Sequence, residues 1–175
     1  ELREAICQKF LRENNLAYQN DQILVSTGAK QSINQLILSI VDEGDEVIIP
    51  TPYWVSYIEM VRMAGGRPIP IETEATNDFI PDISQFQSKI NDKTKLILFS
   101  TPSNPTGTVY PKSLLEKLSA LLQDYPNCFL ISDEIYEHIL YEGKHISTAS
   151  IGNLFDKTIT VNGMSKGFAM TGWRI

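Results

Sequence analysis

The sequence predicts a three-layer α/β sandwich with a mostly parallel sheet. Three observations predict it. Strand-like and helix-like segments alternate along the chain. The strand-like runs are apolar at consecutive positions, as expected of strands covered on both faces. Gly, Pro or Asn mark many of the changes of period.

Each element can be read in order. Leu2, Ala5, Ile6 and Phe10 recur at helical spacing, and Asn14-Asn15 close that helix. QILVS (22–26) reads as a buried strand, followed by Ser26-Thr27-Gly28 and a helix over 30–41 striped by Ile33, Leu36, Ile37 and Ile40. Gly44 ends it, and EVIIP (46–50) is the next strand. Residues 53–63 read as helix, stopped by Gly65-Gly66. RPIPIE (67–72) suits only a sheet edge, because Pro68 and Pro70 lack the N–H that an inner ladder requires. Ile83, Phe86 and Ile90 mark a short helix after Pro81, and KLILFS (95–100) is a strong strand. The loop TPSNPTG leads to Pro111, placed at the first position of a helix carrying Leu114, Leu115, Leu118, Leu121 and Leu122. CFLIS (128–132) and TITV (158–161) complete the set of strands.

The totals limit what this domain can do. With 42% hydrophobic and 21% charged residues, the 175-residue chain has the composition of one globular domain with a real core. A net charge of −6 argues against nucleic-acid binding through phosphate neutralisation. No apolar run approaches the roughly 20 residues of a membrane span, and no signal-peptide pattern is present. Cys7 and Cys128 have no metal-ligand spacing and no disulfide framework, which fits a reducing, cytoplasmic setting. His138 and His145 match no zinc spacing and read as surface or structural, so no metal site is expected. The chain opens on ELREAICQKF, without Met and already in helical rhythm, and stops at Trp173-Arg174-Ile175 in mid-pattern. Both ends read as cuts within a longer protein.

In parallel sheets, ligands bind at the carboxyl ends of strands. Five loops should therefore share one crevice: 27–30, 51–54, 101–107, 133–136 and 162–166. Thr27-Gly28-Ala29-Lys30 offers backbone N–H groups at a helix start, a ready anion site. It is neither a Walker loop nor a dinucleotide fingerprint, and alone it reads equally as a plain glycine turn with a solvated Lys30. Asp133 could hold a metal ion or a protonated ring nitrogen, or merely cap a turn, with Glu134 as surface charge. Trp54 could stack on a planar ligand or fill the core. Asn104 could be simple turn chemistry. Lys166, boxed in by Gly163, Met164, Ser165, Gly167 and Phe168, reads alone as a surface lysine, or as an amine made nucleophilic by desolvation. One ligand satisfies all five loops: a phosphorylated, planar aldehyde with a basic ring nitrogen. Pyridoxal phosphate is that molecule.

TGAKQSI, PTPYWVSY, PSNPTG, SDEIYEHILYEG and NGMSKGFAMTGWRI occur in that order across nearly the whole chain. In these motifs the sequence resembles the class I/II, fold-type I pyridoxal-phosphate aminotransferases. YWVSY and SKGFAMTGWRI carry the likeness to the bacterial aspartate branch. The resemblance implies that Lys166 forms the Schiff base and later moves the proton, while Asp133 pairs with the pyridine nitrogen. Tyr136 and Asn104 would bond the phenolic oxygen, with Asn104 also near the substrate carboxylate. Trp54 would stack on the ring at the substrate site, and Gly28, Ala29, Lys30, Ser165 and Arg174 would hold the phosphate. Where the family often has Ser, three residues before the lysine, this chain has Gly163.

The resemblance also implies a cis peptide before Pro105 and transfer from an amino acid, aspartate first, to 2-oxoglutarate. It implies a cytoplasmic homodimer. Residues 1–175 would be the central cofactor-binding large domain, inactive alone, with an N-terminal segment and a C-terminal small domain outside it. The same scaffold serves β-lyases, decarboxylases and non-catalytic ligand-sensing domains, and these readings stay open at this point.

Overall fold

Val47, Ile48 and Ile49 are all buried, although neighbouring side chains on a strand point to opposite faces. This is what makes the fold three-layered. The computed structural model describes all residues, Glu1–Ile175. Its strands are β1 (Glu46–Pro50), β2 (Arg67–Ile71), β3 (Thr94–Ser100), β4 (Phe129–Asp133) and β5 (Thr158–Val161). They form one five-stranded sheet in the order β2-β1-β3-β4-β5, with every pairing parallel. The helices are α1 (Leu2–Asn14), α2 (Ala29–Ile40), α3 (Ser56–Met63), α4 (Ile83–Lys89) and α5 (Lys112–Leu121).

Two cores lie on the two faces. Val47, Ile49, Leu96, Leu98 and Ile131 pack with Ile33, Ile37, Tyr57 and Val61 of α2 and α3. Ile48, Ile97, Phe99 and Leu130 pack with Phe86, Leu115 and Leu118 of α4 and α5. Each such aliphatic side chain contributes about 1.5–3 kcal/mol of burial. A substitution such as Leu98→Asp would therefore break the α2/α3 face.

Most elements fall where the sequence places them. Asn15 ends α1 in the left-handed conformation, at φ 56°. β2 lies at the edge, as its prolines require. The peptide before Pro105 is cis, as are those before Pro52 and Pro102.

Three expectations need correction. Residues 22–26 form no strand: a 3-10 turn at Asn20–Gln22 gives way to unpaired backbone, already extended at Ile23. Between them and β5 lies a cavity of about 620 Å³, lined by Leu24, Val25 and Ser26 on one side and Thr158, Thr160 and Val161 on the other. With no neighbour within ladder distance, an apolar run cannot become a strand. The helix expected over 53–63 begins only at Ser56, because Tyr53 and Trp54 belong to the loop after Pro52. Pro111 is the cap of α5 rather than its first residue, at ψ 150°, and its carbonyl accepts from the N–H of Leu114 at 3.0 Å.

Candidate active site

The carboxyl ends of β1, β3, β4 and β5 lie along one rim of the sheet, and the register places Ser100 of β3 beside Asp133 of β4. Asp133 ends β4 and is buried. The Tyr57 hydroxyl donates to its Oδ2 at 2.6 Å, and the Ile135 N–H donates to Oδ1 at 3.3 Å. Burial pushes the Asp133 carboxyl up to about 6, while these two donors pull the other way by favouring the anion. Burial and the neighbouring Asp133 charge together push the Tyr57 hydroxyl far upward, so Tyr57 remains a neutral donor.

From Tyr57, contacts lead outward to the sequence-predicted residues. The Trp54 ring packs edge-on against Tyr57, with centroids 5.4 Å apart. Lys30 Nζ lies 4.9 Å from the Trp54 centroid. Lys30 belongs to the first turn of α2, whose cap is Gly28 at φ 83°, ψ 159°. Only glycine adopts that backbone readily. A Cβ there would also meet Arg174, with Cζ only 3.1 Å away. Arg174 Nη2 donates to the Thr27 carbonyl at 3.3 Å. The Ala29 and Lys30 N–H groups make no backbone hydrogen bond. A guanidinium and two free amides thus meet at the positive end of a helix.

The chain then returns to Lys166. The Met164 N–H donates to the carbonyl of Ile175, next to Arg174, at 2.9 Å. Lys166 sits in the turn after β5, two residues on, and its carbonyl accepts from the Ala169 N–H at 3.2 Å. Its side chain is exposed, so the expected desolvation by small apolar neighbours is not met in the folded chain. Ser165 is half-buried beside it. Gly163 has a packing reason: a Cβ there would lie 3.0 Å from Ile135 Cδ1 and 3.2 Å from the Ile175 carbonyl oxygen. Asn104 Nδ2 donates to the Tyr136 hydroxyl at 3.4 Å. Both side chains are half-buried.

Two residues in this region escaped sequence reasoning. Tyr57 looks like one more apolar position of α3, and only its i, i+3 spacing from Trp54 hints at the site. Glu134, expected as surface charge, is wholly buried. β4 is buried or half-buried along its length, so Glu134, which directly follows it, is enclosed as well. His145 is structural, with its side chain 7% exposed against Glu134.

A doubly covered parallel sheet with a buried acid, an aromatic face, an anion cradle and a lysine on one rim defines a fold-type I enzyme scaffold. The sequence matches the description "Aminotransferase class I and II" over residues 1–175, and the chain belongs to that family. A bifunctional aspartate aminotransferase and glutamate/aspartate-prephenate aminotransferase of Petunia hybrida is 52% identical, covering 100% of this chain and 37% of the relative. An aspartate/prephenate aminotransferase of Thermus thermophilus is 49% identical, covering 100% of this chain and 45% of the relative. The solved structure of the Thermus thermophilus aspartate aminotransferase with maleate superposes with TM-score 0.94 at 48% identity, over 99% of this chain and 44% of that one. An aromatic aminotransferase from Pyrococcus horikoshii also gives 0.94, at 39% identity, over 99% of this chain and 46% of that one. The chain spans less than half the length of these relatives.

Proposed function

We propose that residues 1–175 are the central pyridoxal-phosphate-binding large domain of an aminotransferase that moves the amino group of aspartate to 2-oxoglutarate. One observation carries this reading: the continuous contacts from buried Asp133 through Tyr57, Trp54 and Lys30 to the Gly28–Arg174 cradle. The relatives named for aspartate support the amino donor, and 2-oxoglutarate as acceptor rests on the family resemblance. Because the chain spans less than half of those relatives, the small domain and the arginine for the substrate α-carboxylate are proposed to lie outside these residues. Homodimeric assembly and a cytoplasmic location belong to the same proposal and rest on the family resemblance.

The residues fit the cofactor by their chemistry. The Ala29 and Lys30 amides and Arg174 suit a phosphate dianion, with Ser165 as a further donor, and Gly28 leaves the room. Asp133 suits a pyridinium N–H, Trp54 a ring face, and Asn104 with Tyr136 a phenolate oxygen. When bound, the cofactor supplies an aldehyde that captures amines and a ring that withdraws electrons from the substrate α-carbon.

The chain's residues do the rest. Asp133, mostly ionised at pH 7 with its carboxyl at about 6, holds a proton on the ring nitrogen. Tyr57 aims that carboxylate. Trp54 fixes the ring plane. Lys166 Nζ would be the covalent anchor and, once freed, the base that takes the proton from the substrate α-carbon and delivers it to the former aldehyde carbon, two bonds away across the nitrogen.

Borohydride reduction of the full-length protein with bound pyridoxal phosphate tests the assignment. The expected result is a stable phosphopyridoxyl mass on the peptide containing Lys166, together with aspartate–2-oxoglutarate transfer in the unreduced enzyme. Labelling of another lysine, or β-elimination without amino transfer, overturns it.

A further inference from the structure

Asp133 and Glu134 are consecutive acids, yet their carboxylates point to opposite sides. Asp133 meets Tyr57 of α3. Glu134, wholly buried, meets the segment that returns to β5. Its Oε1 accepts from Ser132 Oγ at 2.9 Å, Ser147 Oγ at 3.1 Å and the Thr148 N–H at 2.9 Å. Its Oε2 lies 2.8 Å from His145 Nε2. Ser132 and Thr148 hydroxyls are also bonded, at 2.8 Å. The Glu134 N–H donates to the Val161 carbonyl at 2.8 Å, tying the ends of β4 and β5 together. A carboxylate enclosed this completely persists only because each oxygen is satisfied. His145 gives its Nε2 to Glu134, while its buried Nδ1 has no partner, so Glu134 is the ring's one hydrogen-bond partner.

We propose that Glu134 and His145 form a buried latch that positions the cofactor-facing turn 133–136. Resting on the reading above, the latch deepens it. Neither residue touches the candidate cofactor site; both act through the backbone. The latch fastens residues 145–148 to the same turn that carries Asp133 and Tyr136. Opening it leaves a buried carboxylate short of a donor and frees that turn to shift.

The test uses the full-length protein with His145→Ala and His145→Gln. A glutamine amide reaches the imidazole Nε2 position and can donate to Glu134. Amide hydrogen exchange over 145–150 in the cofactor-free protein should accelerate roughly tenfold in H145A. Pyridoxal phosphate affinity should fall by a similar factor, with a changed visible circular dichroism of the bound chromophore. H145Q should restore all three to within about twofold of the parent. Unchanged exchange in H145A overturns the latch. So does lost affinity in H145A that H145Q, folded to the same melting temperature as the parent, fails to restore. If exchange responds as expected but the parent binds no pyridoxal phosphate, the positioning role falls with the cofactor reading, and the exchange result identifies a brace only.

Discussion

Tyr57 donates its hydroxyl proton to Oδ2 of Asp133 at 2.6 Å, and both residues are buried. This bond opposes the burial that drives the Asp133 carboxyl up to about 6. Tyr57→Phe removes the donor and leaves the ring and its packing against Trp54. Hydrogen bonds to charged groups contribute about 1.5–3 kcal/mol, so Asp133 should take up its proton at a pH at least about one unit higher. The acid limb of the kcat/KM profile of the full-length enzyme should move up correspondingly. An unmoved acid limb would show that Asp133 does not control the rate there.

Asp133 also sets a stability cost. Its folded-state value of about 6 lies above the ordinary 3.8. The folded chain therefore binds the proton more tightly than the unfolded chain. The linked stability is fully present below about pH 4 and is lost as pH rises through 6. The full difference corresponds to about 3 kcal/mol. Asp133→Asn should melt higher than the parent at pH 7–8 in the cofactor-free protein, match it near pH 4, and lose most of its transamination rate. Equal melting temperatures at both pH values would contradict the burial argument.

How far the sequence could be read follows from the same physics. β1 and β3 were legible because consecutive apolar residues have no other home than a doubly covered strand. Residues 22–26 carry the same pattern but form no ladder, since pairing depends on a neighbour that composition does not encode. Gly28, Trp54, Asn104 and Asp133 stand in loops that the strand-end rule assigns to one rim, whereas Arg174 came only from the family resemblance. Tyr57 and Glu134 were not. One is masked by a helix's apolar stripe. The other is masked by the assumption that a glutamate at a turn faces water. Lys166 fell on the expected turn, but its exposure is a tertiary property that neighbouring small residues do not determine.

Gly28 allows a sharper test of the anion cradle. At φ 83°, ψ 159°, any side chain is strained by about 1–3 kcal/mol. A methyl group would additionally displace the Arg174 guanidinium. Gly28→Ala should lower stability by about that amount and, if the proposed cradle takes the phosphate, weaken pyridoxal phosphate binding more than pyridoxal binding. Equal losses for both ligands, measured by fluorescence titration, would place the phosphate elsewhere.

The turn carrying Tyr136 is held from a third direction by Glu137, which is buried against α1. Its carboxylate is paired with Lys9, accepts from Asn14 Nδ2 at 2.8 Å, and lies 3.2 Å from His138 Nε2. Burial raises the Glu137 carboxyl, but the Lys9 and Asn14 hydrogen bonds, the Lys9 charge and the Asn162 side chain together outweigh it, and the net shift is downward. The folded chain thus binds this proton less tightly than the unfolded chain. Glu137 contributes stability above its ordinary value of 4.5, and that stability is lost as pH falls. Glu137→Ala removes the main partner of the partly buried Lys9 ammonium, which keeps Asn14 Oδ1 at 2.8 Å and Glu13 at 3.8 Å, and should cost about 1–3 kcal/mol near neutral pH. Glu137→Gln keeps the Asn14 bond and should cost less. In either variant the melting temperature should fall less steeply than the parent's on acidification below about pH 4.5. A parent and a Glu137→Gln variant with parallel melting curves across pH 3–6 would show that α1 is held by its apolar contacts, chiefly Phe10 against Tyr18, and not by this ion pair.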